Sequence, residues 1–268
     1  MEIDMTDQNI TFPTKEIFVE KLYDIFGKNS LDKYLDENKA ELFYRLAVIL
    51  VETNKNLNLT AVTDPEGIIL RHFADSLVGA DELSENGRII DVGCGGGFPT
   101  FPLAIVRPDL EITALDSTEK KIHFVSSTAK ELGLGNITAI SGRAEELGQG
   151  KLRESFDHAT ARAVASLAVL SELCIPFVKV GGSFVAMKSA RTEEELAPVR
   201  KEDLFSKLGG EREPAVRGLV LVGGDEELTR TVITVRKLER TPEAFPRNYS
   251  QIMKSDKKRK MVKQEAVR

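Results

Sequence analysis

The chain has few cysteines, few histidines and no long apolar run, and each of these absences excludes a class of protein. Only two cysteines, Cys94 and Cys174, occur in 268 residues, so a disulfide framework is excluded and both are expected to be reduced intracellular thiols. The three histidines stand alone and no CxxC pair occurs, so no metal-ligand spacing is present. No apolar run approaches bilayer length, and the N-terminus lacks the basic segment of a signal peptide. These absences predict a cytoplasmic protein without a metal or a membrane span.

Charge is distributed unevenly along the chain. The overall formal charge is only −5, but residues 228–268 hold twelve Lys/Arg and four Asp/Glu, a net of +8. Residues 1–87 hold eight basic and seventeen acidic residues, a net of −9. A basic end of this kind suits the phosphate backbone of a nucleic acid, and the alternative is a solubilising tail.

A glycine-rich run at residues 89–99, IIDVGCGGGFP, is the most informative motif. An apolar stretch ends in Asp91, glycines follow, and helix-forming sequence resumes, which predicts a strand, a tight turn and a helix N-terminus. Gly93, Gly95 and Gly97 form GxGxG, whereas Phe98 stands where the dinucleotide fingerprint GxGxxG has its third glycine. Asp116 ends the next apolar run. This pairing is typical of S-adenosylmethionine (AdoMet) binding in Rossmann-like methyltransferases.

The order of apolar patterns predicts an α/β fold. Helical spacing covers residues 14–26, 30–55 (capped by Ser30) and 64–79, with a loop at 54–60. Strands and helices then alternate, which indicates a parallel sheet covered on both faces. The expected strands lie near 88–92, 111–115, 137–140, 157–161 and 183–187, and the helices near 101–106, 118–132, 166–178 and 192–208. Two last strands, near 217–222 and 229–236, are too close for anything but an antiparallel hairpin.

A mostly parallel seven-stranded sheet closed by such a hairpin is the class I methyltransferase architecture. We therefore expect three regions: an N-terminal helical extension (1–80), an AdoMet-binding domain (81–240) and a basic C-terminal tail (241–268).

Each part of AdoMet has a candidate partner in this motif set. The amides of the glycine turn suit the methionine carboxylate, and Asp91 is placed to meet the ammonium directly or through water. Phe98 is expected to pack on the apolar side of the ligand, and Asp116 to accept from the ribose hydroxyls. Residues 141–146 follow the third strand and are placed for the adenine, because ligands gather at the carboxyl ends of parallel strands.

The methyl acceptor is indicated by what is missing. Residues 160–164 read TARAV, without the Asn/Asp-Pro-Pro-aromatic motif that binds an exocyclic amine. Cys174 lies in an apolar helical run and is expected in the core, and Cys94 lies in the cofactor turn, so no nucleophile stands out. Guanine N7 fits because its lone pair needs only placement against the methyl group. Arg162 ends the fourth strand, where it is expected to face the pocket.

Further candidates surround this edge of the sheet. Arg71, Asp75 and the region of Lys55 are able to face the same pocket, and the alternative is a solvated helix surface on which His72 makes one hydrogen bond. Lys188 ends the fifth strand at the same edge, though a lysine there is often only surface. The candidates for catalysis are Arg162, Arg71 and Asp75, and those for RNA contact are Lys55, Arg71, His72, Lys188 and Arg247.

Blocks spread over residues 40–250 resemble one family, the small-subunit (16S) rRNA guanine-N7 methyltransferases known as RsmG or GidB. In chain order these blocks are residues 56–62, 71–77, 91–99, 115–121, 142–146, 162–165 and 245–247. Four features depart from the family pattern. Thr100 stands where glycine is usual, Cys94 replaces the common threonine, Gly96 follows Gly95 and makes the turn unusually flexible, and the tail at residues 248–253 is not the commonest ending.

The resemblance implies AdoMet as cofactor, with contacts at Gly93, Phe98, Ala144, Glu145 and Arg162 and with Asp116 nearby. It also implies methyl transfer to N7 of one guanine in 16S rRNA, either free or in the small ribosomal subunit, by a protein expected to be monomeric. Two alternatives stay open. One is a non-catalytic RNA-binding or ribosome-assembly module, and the other is a nicotinamide-dependent oxidoreductase, which Phe98 and the closing hairpin disfavour.

Overall fold

The computed structural model describes residues 12–162, 165–189 and 192–266 of the chain. Its strands are β1 (Arg88–Val92), β2 (Glu111–Asp116), β3 (Ile137–Ser141), β4 (Phe156–Arg162), β5 (Val178–Ser189), β6 (Ala215–Gly223) and β7 (Glu226–Arg236). Its α-helices are α1 (Lys15–Lys28), α2 (Glu37–Leu57), α3 (Pro65–Gly67), α4 (Asp75–Leu77), α5 (Thr100–Val106), α6 (Glu119–Leu132), α7 (Ala144–Leu147), α8 (Leu167–Cys174), α9 (Thr192–Lys201), α10 (Leu204–Lys207) and α11 (Tyr249–Ala266).

The seven strands form one sheet in the order β3-β2-β1-β4-β5-β7-β6. Strands β1 to β5 are parallel, and β7 runs antiparallel between β5 and β6. Gly223 pairs with Glu226, so the closing hairpin turns on two residues. The predicted class I architecture, including the antiparallel hairpin, is confirmed. The strand order reverses between β1 and β4, and a crevice at the carboxyl ends of the strands is expected there.

The sheet is covered on both faces by buried apolar side chains. One cluster joins the N-terminal helices to the sheet, with Phe18, Phe43, Phe73 and Phe101 at its centre. The other packs α8 to α11 against the opposite face and contains Cys174, which is fully buried as predicted. The N-terminal helices therefore share a core with the sheet, because their apolar stripes are buried against it.

Helix boundaries differ from the sequence prediction at α2. Asp36 caps this helix by accepting a hydrogen bond from the Lys39 amide at 2.9 Å, whereas the predicted cap, Ser30, has φ 55° and lies outside it. The helix also continues to Leu57, through the first part of the predicted loop, and ends at Asn58 in the left-handed conformation. The helix thus ends two residues beyond the predicted boundary at residue 55.

The predicted helix at 64–79 is interrupted by a π-helical segment, Ile68–Ala74, between α3 and α4. The Asp75 amide donates to the carbonyl of Leu70, five residues earlier, which widens the turn that carries Arg71 and His72. Such segments are rare and often occur at functional sites.

The region predicted as a basic tail contains the 18-residue helix α11. Its sequence has no continuous apolar stripe to reveal it. Ile252, which is fully buried, and the ion pair of Arg247 with Glu172 attach its first turns to α8. Within the described ranges, no helix combines the length and apolarity that crossing a membrane requires.

Candidate functional site

A cavity of about 340 Å³ opens at the carboxyl ends of β1, β2 and β3. The residues around it include Gly93, Asp116, Lys121, Gly142, Arg143, Ala144, Glu145 and Tyr249. Paired positions of the parallel strands, such as Asp116 and Ser141, bring three strand ends to one level. The sheet thus gathers the glycine turn, an acid and a short helix around one space.

Asp116 is held rigidly at the edge of this cavity. Its Oδ2 accepts from the Gly95 amide at 3.0 Å and its Oδ1 from the Thr118 amide at 2.8 Å. An ionised carboxylate has about four acceptor sites, so each oxygen keeps capacity for a further donor. The carboxylate is therefore oriented before any ligand binds and remains able to accept from a diol.

The glycines of the turn have different structural roles. Gly93, at φ 78°, lies at the cavity, and its amide is bonded to the Leu115 carbonyl at 2.7 Å. Gly97 has φ 86°, and a Cβ there would lie 2.2 Å from the ring of Phe101. Gly97 is thus required for packing of α5 against the turn, whereas Gly95 orients Asp116.

Asp91 is buried in β1, directly before Val92, which lines the cavity. Its Oδ2 accepts from the Thr100 hydroxyl at 2.6 Å and from the Thr100 amide at 3.2 Å. Its Oδ1 is buried without a hydrogen-bond partner among the described residues. Burial raises the pKa of Asp91 to about 6, and the Thr100 hydrogen bond opposes this shift. Thr100, one of the departures from the family pattern, therefore supports this carboxyl group.

The third strand end contributes a short helix, α7. Glu145 is largely buried and accepts from Arg143 Nε at 2.7 Å. The Arg143 guanidinium lies 5.2 Å from the centre of the Tyr249 ring, which comes from α11. Sequence reasoning missed Tyr249 as a site residue, since it lies more than 100 positions beyond α7 in a region predicted as a tail.

A second polar group, which we call the Asp75 cluster, consists of Arg71, His72, Asp75, Phe98, Arg162 and Arg230. Asp75 is buried and accepts from Arg162 at 2.9 Å and from Arg230 at 2.5 Å. Arg162 also donates to the Arg71 carbonyl at 2.7 Å. One carboxylate thus fixes two guanidinium groups beside the glycine turn.

Phe98 joins the Asp75 cluster to the turn. The His72 ring stacks on it with centroids 4.6 Å apart, and the Arg162 guanidinium lies 5.7 Å from the Phe98 centroid. His72 Nε2 contacts the Thr60 hydroxyl at 2.7 Å, while its Nδ1 is buried without a partner among the described residues. Burial, and to a lesser extent the Arg162 charge, lowers the pKa of His72 to about 4. The imidazole is therefore neutral at physiological pH.

Neither cysteine is an activated nucleophile. Cys94 and Cys174 are both buried, and burial raises the pKa of each thiol well above its ordinary range. The described residues also contain no group of three or more His, Cys, Asp or Glu side chains arranged to hold a metal ion. The chemistry of the site rests on carboxylates, guanidinium groups and backbone amides.

Comparison with known proteins identifies the family of this chain. A family model described as GidB, rRNA small subunit methyltransferase G, matches residues 38–217. The chain belongs to this family.

Individual members of the family match over nearly their whole length. A ribosomal RNA small subunit methyltransferase G of Clostridium beijerinckii is 40% identical over 240 residues, 88% of this chain and 98% of that protein. The protein of the same name from an Exiguobacterium species is 44% identical over 216 residues, 80% of this chain and 89% of its own length. A solved SAM-dependent methyltransferase from Aquifex aeolicus is 16% identical, with a TM-score of 0.46 over 69% of this chain and 97% of that one, too remote to carry an argument.

The predicted cofactor residues fall into two places. Four of them line the cavity: Gly93, Asp116, Ala144 and Glu145. The other five do not line it: Asp91 is buried in β1, Gly95 and Gly97 lie within the turn, and Phe98 and Arg162 belong to the Asp75 cluster. The glycine turn links the two places, since Gly93 lines the cavity and Phe98 belongs to the Asp75 cluster.

The residues predicted to contact RNA differ in exposure and in their ion-pair partners. Arg71 forms an ion pair with Glu226 of the closing hairpin at 2.7 Å and does not point to the cavity, whereas Lys55 is exposed. Lys188 is buried, donating to the Ala165 carbonyl and pairing with Glu195, both at 2.8 Å. Arg247 binds Glu172 through two nitrogens, each at 2.7 Å. The charges of Lys188 and Arg247 are thus engaged within the protein, whereas Lys55 is exposed and lies 3.7 Å from Glu52.

Proposed function

We propose that this protein transfers a methyl group from AdoMet to N7 of a guanine in 16S rRNA. The observation that carries the proposal is the cavity at the reversal of strand order, where a glycine turn, Asp116 and the start of α7 meet in a chain of the rRNA small subunit methyltransferase G family. The relatives' names state methylation of small-subunit ribosomal RNA. The N7 position is supported by the resemblance to the guanine-N7 methyltransferases, and by the lone pair of N7, which needs only placement against the methyl group.

The residues present fit AdoMet. We assign the methionine end to the backbone at Gly93, the ribose to Asp116, and the adenine to Ala144 and Glu145. Asp116 supports this assignment because two amides orient its carboxylate at the cavity edge. Asp91 is assigned to the ammonium group through water, since its Oδ1 is a buried acceptor without a partner among the described residues.

The acceptor assignment fits a site in which neither cysteine is an activated nucleophile. When AdoMet is bound it supplies an electrophilic methyl group. The N7 lone pair forms the new N–C bond as the S–C bond breaks, which leaves S-adenosylhomocysteine and a cationic N7-methylguanine without moving a proton. Placement is then the main contribution of the protein. We assign Arg162 to guanine O6 or an adjacent phosphate, since Asp75 fixes its guanidinium beside Phe98.

A basic groove supports RNA as the substrate. It lies between α9, α10 and α11, and exposed Lys201, Lys207 and Lys258 line it, with Lys254 on the adjoining surface. Phosphate contacts by such lysines release counterions and give affinity that falls steeply with salt. We propose that this groove binds the phosphate backbone of the rRNA in the cytoplasm, either as free 16S rRNA or within the small ribosomal subunit.

The test is incubation of the protein with methyl-labelled AdoMet and either free 16S rRNA or purified small ribosomal subunits. Label is expected in one guanine, and mass spectrometry of nuclease fragments locates the methyl group at N7. The Asp116→Ala variant is the matched control. We expect it to bind AdoMet about 10- to 150-fold more weakly, since a charge-assisted hydrogen bond contributes roughly 1.5–3 kcal/mol.

Other outcomes identify the alternatives. RNA binding without label incorporation, on either substrate, indicates a non-catalytic module. A melting temperature raised by NAD and not by AdoMet indicates an oxidoreductase. Label at a position other than guanine N7 overturns the assignment of the acceptor while leaving the cofactor assignment in place.

A further inference from the structure

The cavity has a wall contributed from the far end of the chain. Tyr249, the first residue of α11, lies against the same space as Asp116, Ala144 and Glu145. The family match ends at residue 217, so Tyr249 lies outside the segment that defines the family. Its side chain is large and aromatic, and 39% of it is exposed.

The start of α11 is fixed on the body of the protein. Arg247 donates to Glu172 from its side chain and from its amide at 3.0 Å, and Glu172 is only 1% exposed. The Asn248 side chain accepts from the Gln251 amide at 3.0 Å, which caps the helix, and Ile252 is fully buried. Tyr249 thus sits between two anchored positions, so its ring is placed at the cavity by the fold rather than by chance exposure of a flexible end.

The contacts of the ring locate it along the cavity. The Arg143 guanidinium lies over the Tyr249 ring at 5.2 Å, within the range of a cation–π contact. Arg143 directly precedes Ala144 and is bonded to Glu145, the two residues assigned to the adenine. Tyr249 therefore stands at the adenine end of the cavity and not at the methionine end.

We propose that Tyr249 is a cofactor-binding residue whose ring packs against the adenine, so that α11 completes the AdoMet site. The proposal rests on the proposed function. An adenine has an apolar π face that an aromatic ring covers well, and Arg143 holds the ring in position. Base–aromatic stacking, measured by alanine substitution, corresponds to about a 5- to 150-fold change in affinity.

Affinity measurements on the full-length protein test the proposal. Calorimetry with AdoMet and with S-adenosylhomocysteine is expected to show binding to Tyr249→Ala weakened about 5- to 150-fold for both ligands, which share the adenosine. Tyr249→Phe keeps the ring and is expected to bind within about twofold of the unchanged protein. Tyr23→Ala, which removes an exposed tyrosine from α1, is the matched control and should leave both affinities unchanged.

A spectroscopic readout separates ring stacking from a structural effect. The chain has no tryptophan and four tyrosines, so tyrosine accounts for its intrinsic emission. S-Adenosylhomocysteine is expected to quench part of this emission in the unchanged protein. The quenching should disappear in Tyr249→Phe, which still binds, and Tyr249→Phe also corrects for absorption by the ligand.

The possible negative results distinguish the role of Tyr249 from the proposed function. Unchanged affinity in Tyr249→Ala, or undiminished quenching in Tyr249→Phe, overturns the role of Tyr249 while AdoMet binding stands. Absence of binding to the unchanged protein overturns the proposed function itself. Should Tyr249→Ala fold poorly, seen as a lowered melting temperature, the comparison of the unchanged protein with Tyr249→Phe still decides.

Discussion

Asp91→Asn is expected to stabilise this protein at neutral and mildly alkaline pH. The carboxyl group is buried, one oxygen lacks a partner among the described residues, and its pKa stands at about 6 against an ordinary 3.8. Because the folded pKa is raised, the protonated carboxyl group is the favoured form. The stability that the protonated Asp91 carboxyl group contributes is fully present below about pH 3.8. It is lost as the pH rises through about 6.

The magnitude follows from linkage. With these two pKa values, the buried Asp91 carboxyl group destabilises the fold by about 3 kcal/mol at pH 8 and by roughly half as much at pH 5. An asparagine has no charge to bury, and its amide oxygen still accepts from Thr100. The variant should therefore exceed the unchanged protein in free energy of unfolding by up to about 3 kcal/mol at pH 8, and by roughly half as much at pH 5.

Urea unfolding at both pH values measures this difference. Asp109→Asn is a control of opposite sign, since Arg107 lowers the pKa of Asp109 to about 2 and the variant should lose stability at pH 8. A variant at Asp91 that is less stable than the unchanged protein at pH 8, or a gap that does not change with pH, refutes the reasoning.

The same variant should bind AdoMet about tenfold more weakly, because the proposed ammonium contact loses its charge. Greater stability together with weaker binding would mark Asp91 as a residue retained for function at a cost in stability.

Three further outcomes are expected. Arg247→Ala leaves the buried Glu172 unpaired and should lower the free energy of unfolding by about 3–5 kcal/mol in urea titration, with most of the loss recovered when Glu172→Gln is added. Gly97→Ala should cost at least about 2 kcal/mol in thermal unfolding, because of positive φ and overlap with a phenylalanine ring, whereas Gly96→Ala has a nearest neighbour at 3.6 Å and should be tolerated. Lys258→Gln should reduce the slope of log affinity for RNA against log salt by about 0.7–0.9, and an unchanged slope would place RNA elsewhere.

Local pattern was enough to predict the sheet. Strands β1 to β3 are short, largely apolar runs that end near a polar or glycine residue, and the short link before β7 allows only a hairpin. The ends of parallel strands meet at one edge, so Gly93, Asp116 and Ala144 were predicted to lie together and do line one cavity.

Two features of the site region depended on contacts between distant segments. The π-helical segment arises where His72 must stack on Phe98 and Asp75 must meet Arg162, which no local periodicity records. Lys188 was predicted at the functional edge, but its neighbours Ala165 and Glu195 bind its ammonium group inside the protein. Residue type alone does not reveal whether a charge is already paired.

The sequence by itself determined the family, the class of fold and the edge of the sheet that carries the site, because these depend on spacing along the chain. Only the tertiary structure decided that α11 returns to place Tyr249 beside Ala144. That contact is fixed by the ion pair of Arg247 with Glu172 and by the buried Ile252. Contacts between residues so far apart in the sequence produce no periodic pattern that sequence analysis can detect.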